Sequence, residues 1–407
     1  MTSRSPTQVR RARAAVSMVF FTNGAIFASM VPRYPDIKID LDLGNAALGV
    51  AVAAFPLGAL MAGLSAGVLL QRFRSSVVAV VATLFAATAT TVAGIAPSWA
   101  VLAGGLLVAG AMDSIADVAQ NFHGLRVQRL YGRSILNSFH AVWSIGAVAG
   151  GATGAIAAGL GVSRTLHFAL IAFMCVLLAV ASYRFLLPGP DPLPAAGVLD
   201  SGAGIVQSSG RNRGWPLNKY GALLLLVIIG SAGALIEDAG NSWSAIYLSE
   251  AFGGSALVAG AGFIALQGMQ VVGRLVSDRL VDRFGQRTVA RAAGLVVLVG
   301  MSLALGFPSF VGSVVGFGLA GLAAAPLIPA AVHAADGLPG FRPGEGLTIV
   351  SWLLRLGFLV SPPIVGWVAD ATSLRFGLLL VPVSGLLVIL FAPVMSSSNA
   401  RAAGEHE

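Results

Sequence analysis

Residues 76–96 read SVVAVVATLFAATATTVAGIA, and no side chain among them carries a charge. A membrane-crossing helix takes roughly 20 predominantly apolar residues, so this stretch is enough for one span. Working outward, runs of the same kind fall at about 14–32, 46–70, 99–128, 135–160 and 165–187, divided by Pro, Gly or Arg clusters. A polar segment follows at 188–217, with Pro188, Pro190, Pro192 and Pro194 and then Arg211 and Arg213. After it come six more runs, at about 219–248, 255–281, 288–307, 310–335, 346–370 and 374–395. The basic, then apolar opening RRARAAVSMVFFTNGAIFASM is read as a first span rather than a cleaved leader, because Ala28-Ser29-Met30 is a poor cleavage pattern.

Composition agrees. Of 407 residues, 56% are hydrophobic and only 10% charged, against about 25% charged in a soluble domain. The formal net charge of +8 would suggest nucleic acid in a soluble protein. Here it predicts positive cytoplasmic loops, and no nucleic-acid partner is expected. With the N-terminus inside, inner segments hold 20 of the 25 basic residues, outer loops hold Arg33, Lys38, Arg164 and Arg375, and Arg355 falls within a span. Twelve spans with both termini cytoplasmic follow. The single cysteine, Cys175, excludes a disulfide framework and a cysteine metal site, so no metal or cofactor is expected. The halves also look duplicated: an offset of 211 places Gly49 on Gly260, Arg72-Phe73 on Arg283-Phe284 and Gly146 on Gly357.

A charged residue at a helix centre costs at least about 2.5–3.5 kcal/mol. Five sit well inside spans: Asp113, Asp117, Glu237, Asp238 and Arg355. Fully ionised, they would sum to −3. A low-dielectric interior does not hold that charge, so one or two of the acids are expected to carry a proton. That is what proton coupling requires, although hydrogen-bonded anchors or a wet cavity would also account for buried acids. Asp113, Asp117 and Asn121 recur at i, i+4, i+8, a polar stripe on one helical face. His140 lies at the depth of Asn121 on the next helix, within reach of Asp117 or Asn121. Glu237 and Asn241 share a face, with Asp238 turned about 100° away towards Arg355 or a neighbouring helix. Asn23 is mid-span in the first run, and a hydrogen bond to substrate is expected of it. Trp143, Trp243 and Trp352 suit either ligand stacking or packing.

The loop after the eighth run holds Gly273, Arg274, Asp278, Arg279, Asp282, Arg283, Phe284, Gly285, Gln286 and Arg287. It resembles the major facilitator motif G-x-x-x-D-R-x-G-R-R, with Asp278 where Gly is usual. The equivalent stretch Gly67 to Arg74 has Gln71 for the acid and Arg74 for the Gly. The resemblance covers all twelve runs. It narrows to the YbjJ-like, rhizopine-permease (MosC)-like branch through Asp117-Val118-Ala119-Gln120-Asn121, through His140 to Gly146 (H-x-x-x-S-x-G), and through Glu237, Asn241 and Trp243 (E-x-x-x-N-x-W). Asp113 and Arg355 lie outside that pattern.

The resemblance implies an all-α membrane protein of two pseudo-symmetric six-helix bundles, residues 1–187 and 218–407, joined by a cytoplasmic linker at 188–217. It further implies alternating access around a midplane site between the halves, with Asp278, Arg279, Asp282, Arg283 and Arg287 gating as a charge latch near Arg129 or Arg133. The expected partners of this monomer are a small polar solute, protons and the bilayer of a bacterial-type inner membrane. Drug efflux antiporters carry G-P-x-x-G-G in the fifth helix, and Gly150 to Ala155 lacks its Pro and last Gly. That favours a sugar, polyol or related compound over efflux. A non-transporting sensor is a third class. Gly63-Leu64-Ser65-Ala66-Gly67 matches the hydrolase pattern G-x-S-x-G, but it falls mid-helix where the motif needs a strand-turn-helix, so no enzyme is expected.

Overall fold

The computed structural model describes residues 5–132, 135–189, 219–253, 256–341 and 344–395. The expected linker lies outside the described residues from position 190 onward, as do Arg4, Arg133, Arg211, Arg213, Arg342 and Arg401. Twelve helices among the described residues are long and apolar enough to cross a membrane. They are α1 (Pro6–Met30), α2 (Asn45–Arg72), α3 (Ser75–Gly94), α4 (Trp99–Tyr131), α5 (Leu136–Gly159), α6 (Arg164–Tyr183), α7 (Lys219–Phe252), α8 (Ala256–Phe284), α9 (Gln286–Gly306), α10 (Phe310–Asp336), α11 (Glu345–Ala371) and α12 (Leu374–Val394). Apart from α1, which starts at Pro6 well ahead of its run, each begins and ends within a few residues of the apolar run that predicts it, because the bilayer length and the backbone's need for internal hydrogen bonds leave helices as the solution for such runs.

By contacts the chain divides into two compact units, Met1–Leu199 with Gly253–Ile264, and Asp200–Phe252 with Ala265–Glu407. Within each unit the helices touch backbone to backbone at glycine. In the first, Gly110 of α4 lies against the Phe55 carbonyl of α2; in the second, Gly321 of α10 lies against the Leu266 carbonyl of α8. Both partners are 211 residues apart, the offset read from the sequence. Ser98 caps α4 by accepting from the Val101 N–H, and Ser309 caps α10 by accepting from the Gly312 N–H, again 211 apart. Arg164 donates from the start of α6 to the carbonyl of Gly94 at 3.2 Å, and Arg375 donates from the start of α12 to that of Gly306 at 2.9 Å. The two units therefore repeat their caps and crossings as well as their helix order.

These arginines satisfy carbonyls that the ends of α3 and α9 leave orphaned. Arg164 also pairs with Asp40 at 2.7 Å. Arg164→Gln is expected to cost about 1 kcal/mol and to lower the unfolding temperature of the purified protein more than Asp40→Asn does, since only the former removes both contacts. An equal loss in the two variants would mean that the carbonyl cap contributes nothing.

At the other end of the first unit, the Leu187 N–H donates to His123 Nε2 at 3.0 Å, and His123 Nδ1 meets Ser75 Oγ at 2.8 Å. Arg126 donates to the carbonyls of Leu187, Pro188 and Gly189. The chain leaving α6 is thus held against α4. Between α8 and α9 it reverses at Gly285 alone, at φ 78°, a left-handed conformation suited to glycine.

Candidate functional site

Three glycines bring α1 and α5 into contact: Gly24 against the Trp143 carbonyl, Gly146 against that of Phe21 and Gly150 against that of Ala25. At so short a separation the side chain of Asn23 reaches across. Trp143 donates its indole N–H to Asn23 Oδ1 at 2.7 Å, and Asn23 donates from Nδ2 to Asp113 Oδ1 on α4 at 2.8 Å. Asn23 is buried at 4% exposure, and Asp113 and Trp143 are half-buried.

One turn along, the pattern recurs. Asn121 donates from Nδ2 to Asp117 Oδ1 at 2.9 Å and turns its Oδ1 to His140 Nε2 of α5 at 3.1 Å. Because that oxygen only accepts, the ring proton sits on Nε2 in this arrangement. Gln120 also donates to Asp117, at 3.2 Å. His140 stands edge-on to Phe20 of α1, with centroids 5.2 Å apart, and Ser144 donates to its carbonyl. The first unit thus carries two parallel chains of ring N–H, amide and carboxylate, Trp143–Asn23–Asp113 and His140–Asn121–Asp117.

In the second unit, Asn241 is buried and accepts from Gln267 Nε2 of α8 at 2.9 Å. Glu237 is half-buried, with no hydrogen bond or ion pair among the described residues. Asp238 does not pair with Arg355, as one sequence reading allowed. Ser242 donates to it at 3.4 Å and Ser361 of α11 lies beside it, while Arg355 has no ion pair among the described residues. Trp243 is 1% exposed, so packing rather than an open stacking face accounts for its position, whereas Trp352 is exposed.

Sequence reasoning passed over Gln120, Gln267 and Gln270. All three are buried, and the carbonyl oxygens of their side chains lack partners among the described residues. The available signal was the i, i+3 pair Gln267 and Gln270 in an otherwise apolar run.

Asp278, Arg279, Asp282 and Arg283 are exposed at the end of α8, in no ion pair among the described residues. Arg283 lies over the Phe284 ring at 5.3 Å, as Arg72 lies over Phe73 at 5.9 Å. Arg287, expected in the latch, instead donates to the carbonyls of Met395 at 2.9 Å and Pro393 at 2.7 Å, tying α9 to the end of α12. Its position at the first turn of α9 puts it nearer those carbonyls than the acids of the motif. Gly63 to Gly67 lies within α2, with no strand-turn-helix to expose a nucleophile.

The sequence model of the Major Facilitator Superfamily matches residues 223–407. Whole-chain relatives include the membrane protein MosC of Rhizobium meliloti, 29% identical over 92% of this chain and 88% of that one. An uncharacterized transporter, y4wD, of Sinorhizobium fredii is 29% identical over 93% and 97%. Among solved structures, the nucleoside transporter NupG superposes with a TM-score of 0.74 at 14% identity, over 94% of this chain and 98% of that one. A bacterial homolog of the human lysosomal transporter Spinster gives 0.73 at 13%, over 99% and 98%. The likeness to those structures carries the fold. The relatives that span nearly the whole chain, with the family match over residues 223–407, carry a resemblance: this chain is a multi-pass membrane protein, with twelve helices of spanning length among the described residues, and it is similar to proteins of the major facilitator superfamily.

Proposed function

We propose that the protein is a proton-coupled symporter of a small polar organic solute, a sugar, polyol or related compound. We place it in a bacterial-type inner membrane, as a monomer with both termini cytoplasmic. The observation that carries this reading is the pair of carboxylates on α4, each held by an asparagine amide at 2.8–2.9 Å inside a span where an acid is costly. Acids in such a place can take up and release protons, and the neighbouring amides offer donors and acceptors suited to hydroxyl-bearing solutes. The orientation rests on the distribution of basic residues. Glu237, half-buried and without a partner among the described residues, adds an acid in the second unit. Asp278, Arg279, Asp282 and Arg283 are assigned to gating.

The test is reconstitution with an imposed pH gradient after a thermal-shift screen of sugars, polyols and lipophilic cations. Stabilisation by a neutral polyol, with inward proton flow on its addition, is the expected result. Stabilisation by lipophilic cations alone, with outward drug movement, would overturn symport in favour of efflux. Binding without flux would make the protein a sensor. Glu237→Gln is expected to lower driven uptake at least about tenfold, about 1.4 kcal/mol in the transport step, at unchanged membrane abundance. Normal uptake would remove Glu237 from the mechanism.

A further inference from the structure

The two chains on α4 and α5 share a layout and differ in the ring that heads them. An indole N–H can only donate. Trp143 therefore fixes Asn23 with its oxygen towards α5, and the amide N–H of Asn23 must face Asp113. An imidazole presents either an N–H or a lone pair at Nε2. When His140 donates, Asn121 turns its N–H to Asp117, the arrangement seen here. When His140 presents the lone pair, Asn121 can rotate by half a turn, giving up its bond to the Asp117 backbone carbonyl at 2.9 Å, donating to His140 and offering its carbonyl oxygen to the Asp117 carboxyl. That oxygen can bond Asp117 only when the carboxyl carries a proton.

We propose that Trp143 and His140 are positioning residues that divide the work between the two acids. Trp143 locks Asn23 as a permanent donor to Asp113, and His140 lets Asn121 turn over with the charge of Asp117. Asp113 is thereby the fixed acid and Asp117 the exchanging one. The proposal rests on the proton-coupled reading above.

The groups around the pair are few. From α4 itself come the two acids, Gln120 and Asn121; from α5 comes His140; from α1 comes Asn23, which does not titrate. Along α2 the charged residue is Arg72 at its end, and α3 carries none. His123, further along α4, is engaged by Ser75 and the Leu187 N–H. Each acid's asparagine partner is thus turned by one ring of α5, Gln120 being a second donor to Asp117 that neither ring sets, while the acids also act on each other.

The experiment is an infrared pH titration of the protonated carboxyl bands in the purified, substrate-free protein, with Asp113→Asn and Asp117→Asn assigning each band. Trp143→Phe, which keeps a ring against Phe27, should displace the Asp113 midpoint by about half a pH unit or more, roughly threefold in proton affinity. In an Asn23→Leu background it should displace it no further. His140→Phe should displace the Asp117 midpoint by a similar amount, and not in an Asn121→Leu background. Each ring should move its own acid at least twice as far as the other.

An unmoved Asp113 midpoint in Trp143→Phe, or a displacement that survives Asn23→Leu, overturns the lock. If Trp143→Phe does not fold, Asn23→Leu alone must move the Asp113 band and leave the Asp117 band in place; if it does not, the lock is again overturned. Transport is scored separately. Bands that respond as stated in a protein showing no proton-coupled flux would leave the division of roles standing and end the symport reading. Coupled flux with bands indifferent to the rings would do the reverse.

Discussion

Asp117→Asn protein in sealed vesicles should exchange labelled solute across the membrane and fail to concentrate it, the inside-to-outside ratio settling at about one under a pH gradient that drives the unaltered protein well above it. Exchange needs alternating access alone, whereas accumulation needs a proton released on the far side. Asparagine preserves the hydrogen-bonding size of the group that accepts from Asn121 at 2.9 Å while removing its charge. Asp113→Asn should be milder, since its amide partner is held by the indole of Trp143 at 2.7 Å whatever the charge of the acid. Accumulation by Asp117→Asn with none by Asp113→Asn would reverse the two assignments. Accumulation by both would move the coupling to Glu237 or Asp238.

Replacement of Gly110 or Gly321 by valine should remove most of the folded protein from the membrane. In both places an added Cβ would meet a carbonyl of the neighbouring helix, that of Phe55 or Leu266. Backbone cannot swing aside as a side chain can, so the cost should reach or exceed the upper end of the about 1–3 kcal/mol typical of overpacking. Gly104→Val and Gly268→Val are the controls, because a Cβ at either meets nothing within 4 Å. Equal abundance of all four variants, measured by size-exclusion fluorescence, would show that the crossings yield more readily than the geometry implies.

The helices were legible because a span has a fixed minimum length and a forbidden composition, and α3 could be read from its own residues alone. The His140–Asn121 contact was also within reach, since both residues lie at the same height on helices joined by a short turn. The Trp143–Asn23 bond was not. It depends on how closely α1 approaches α5, which Gly24, Gly146 and Gly150 decide together and which no spacing along one helix reports. Asp238 shows the same limit: composition flagged its cost, but its turn towards Ser242 and Ser361 depends on which neighbour fills that side. Ser98 and Ser309, or Arg164 and Arg375, escaped the repeat comparison because a cap is one polar residue at a loop edge, easily lost among glycine matches.

The glycine contacts between α1 and α5 also bear on tempo. Two backbones in mutual contact act as a stiff bracket, and sliding one past the other would require lifting every carbonyl off its glycine. Proton handling by Asn23, Asn121 and their rings must then proceed by rotation about side-chain bonds within a frame that stays still, motions of the picosecond-to-nanosecond class slowed by burial. Collective helix displacements belong to microseconds and longer. Protonation should therefore equilibrate many times over before the frame itself is asked to move, so the acids would be read at equilibrium by the slower transition.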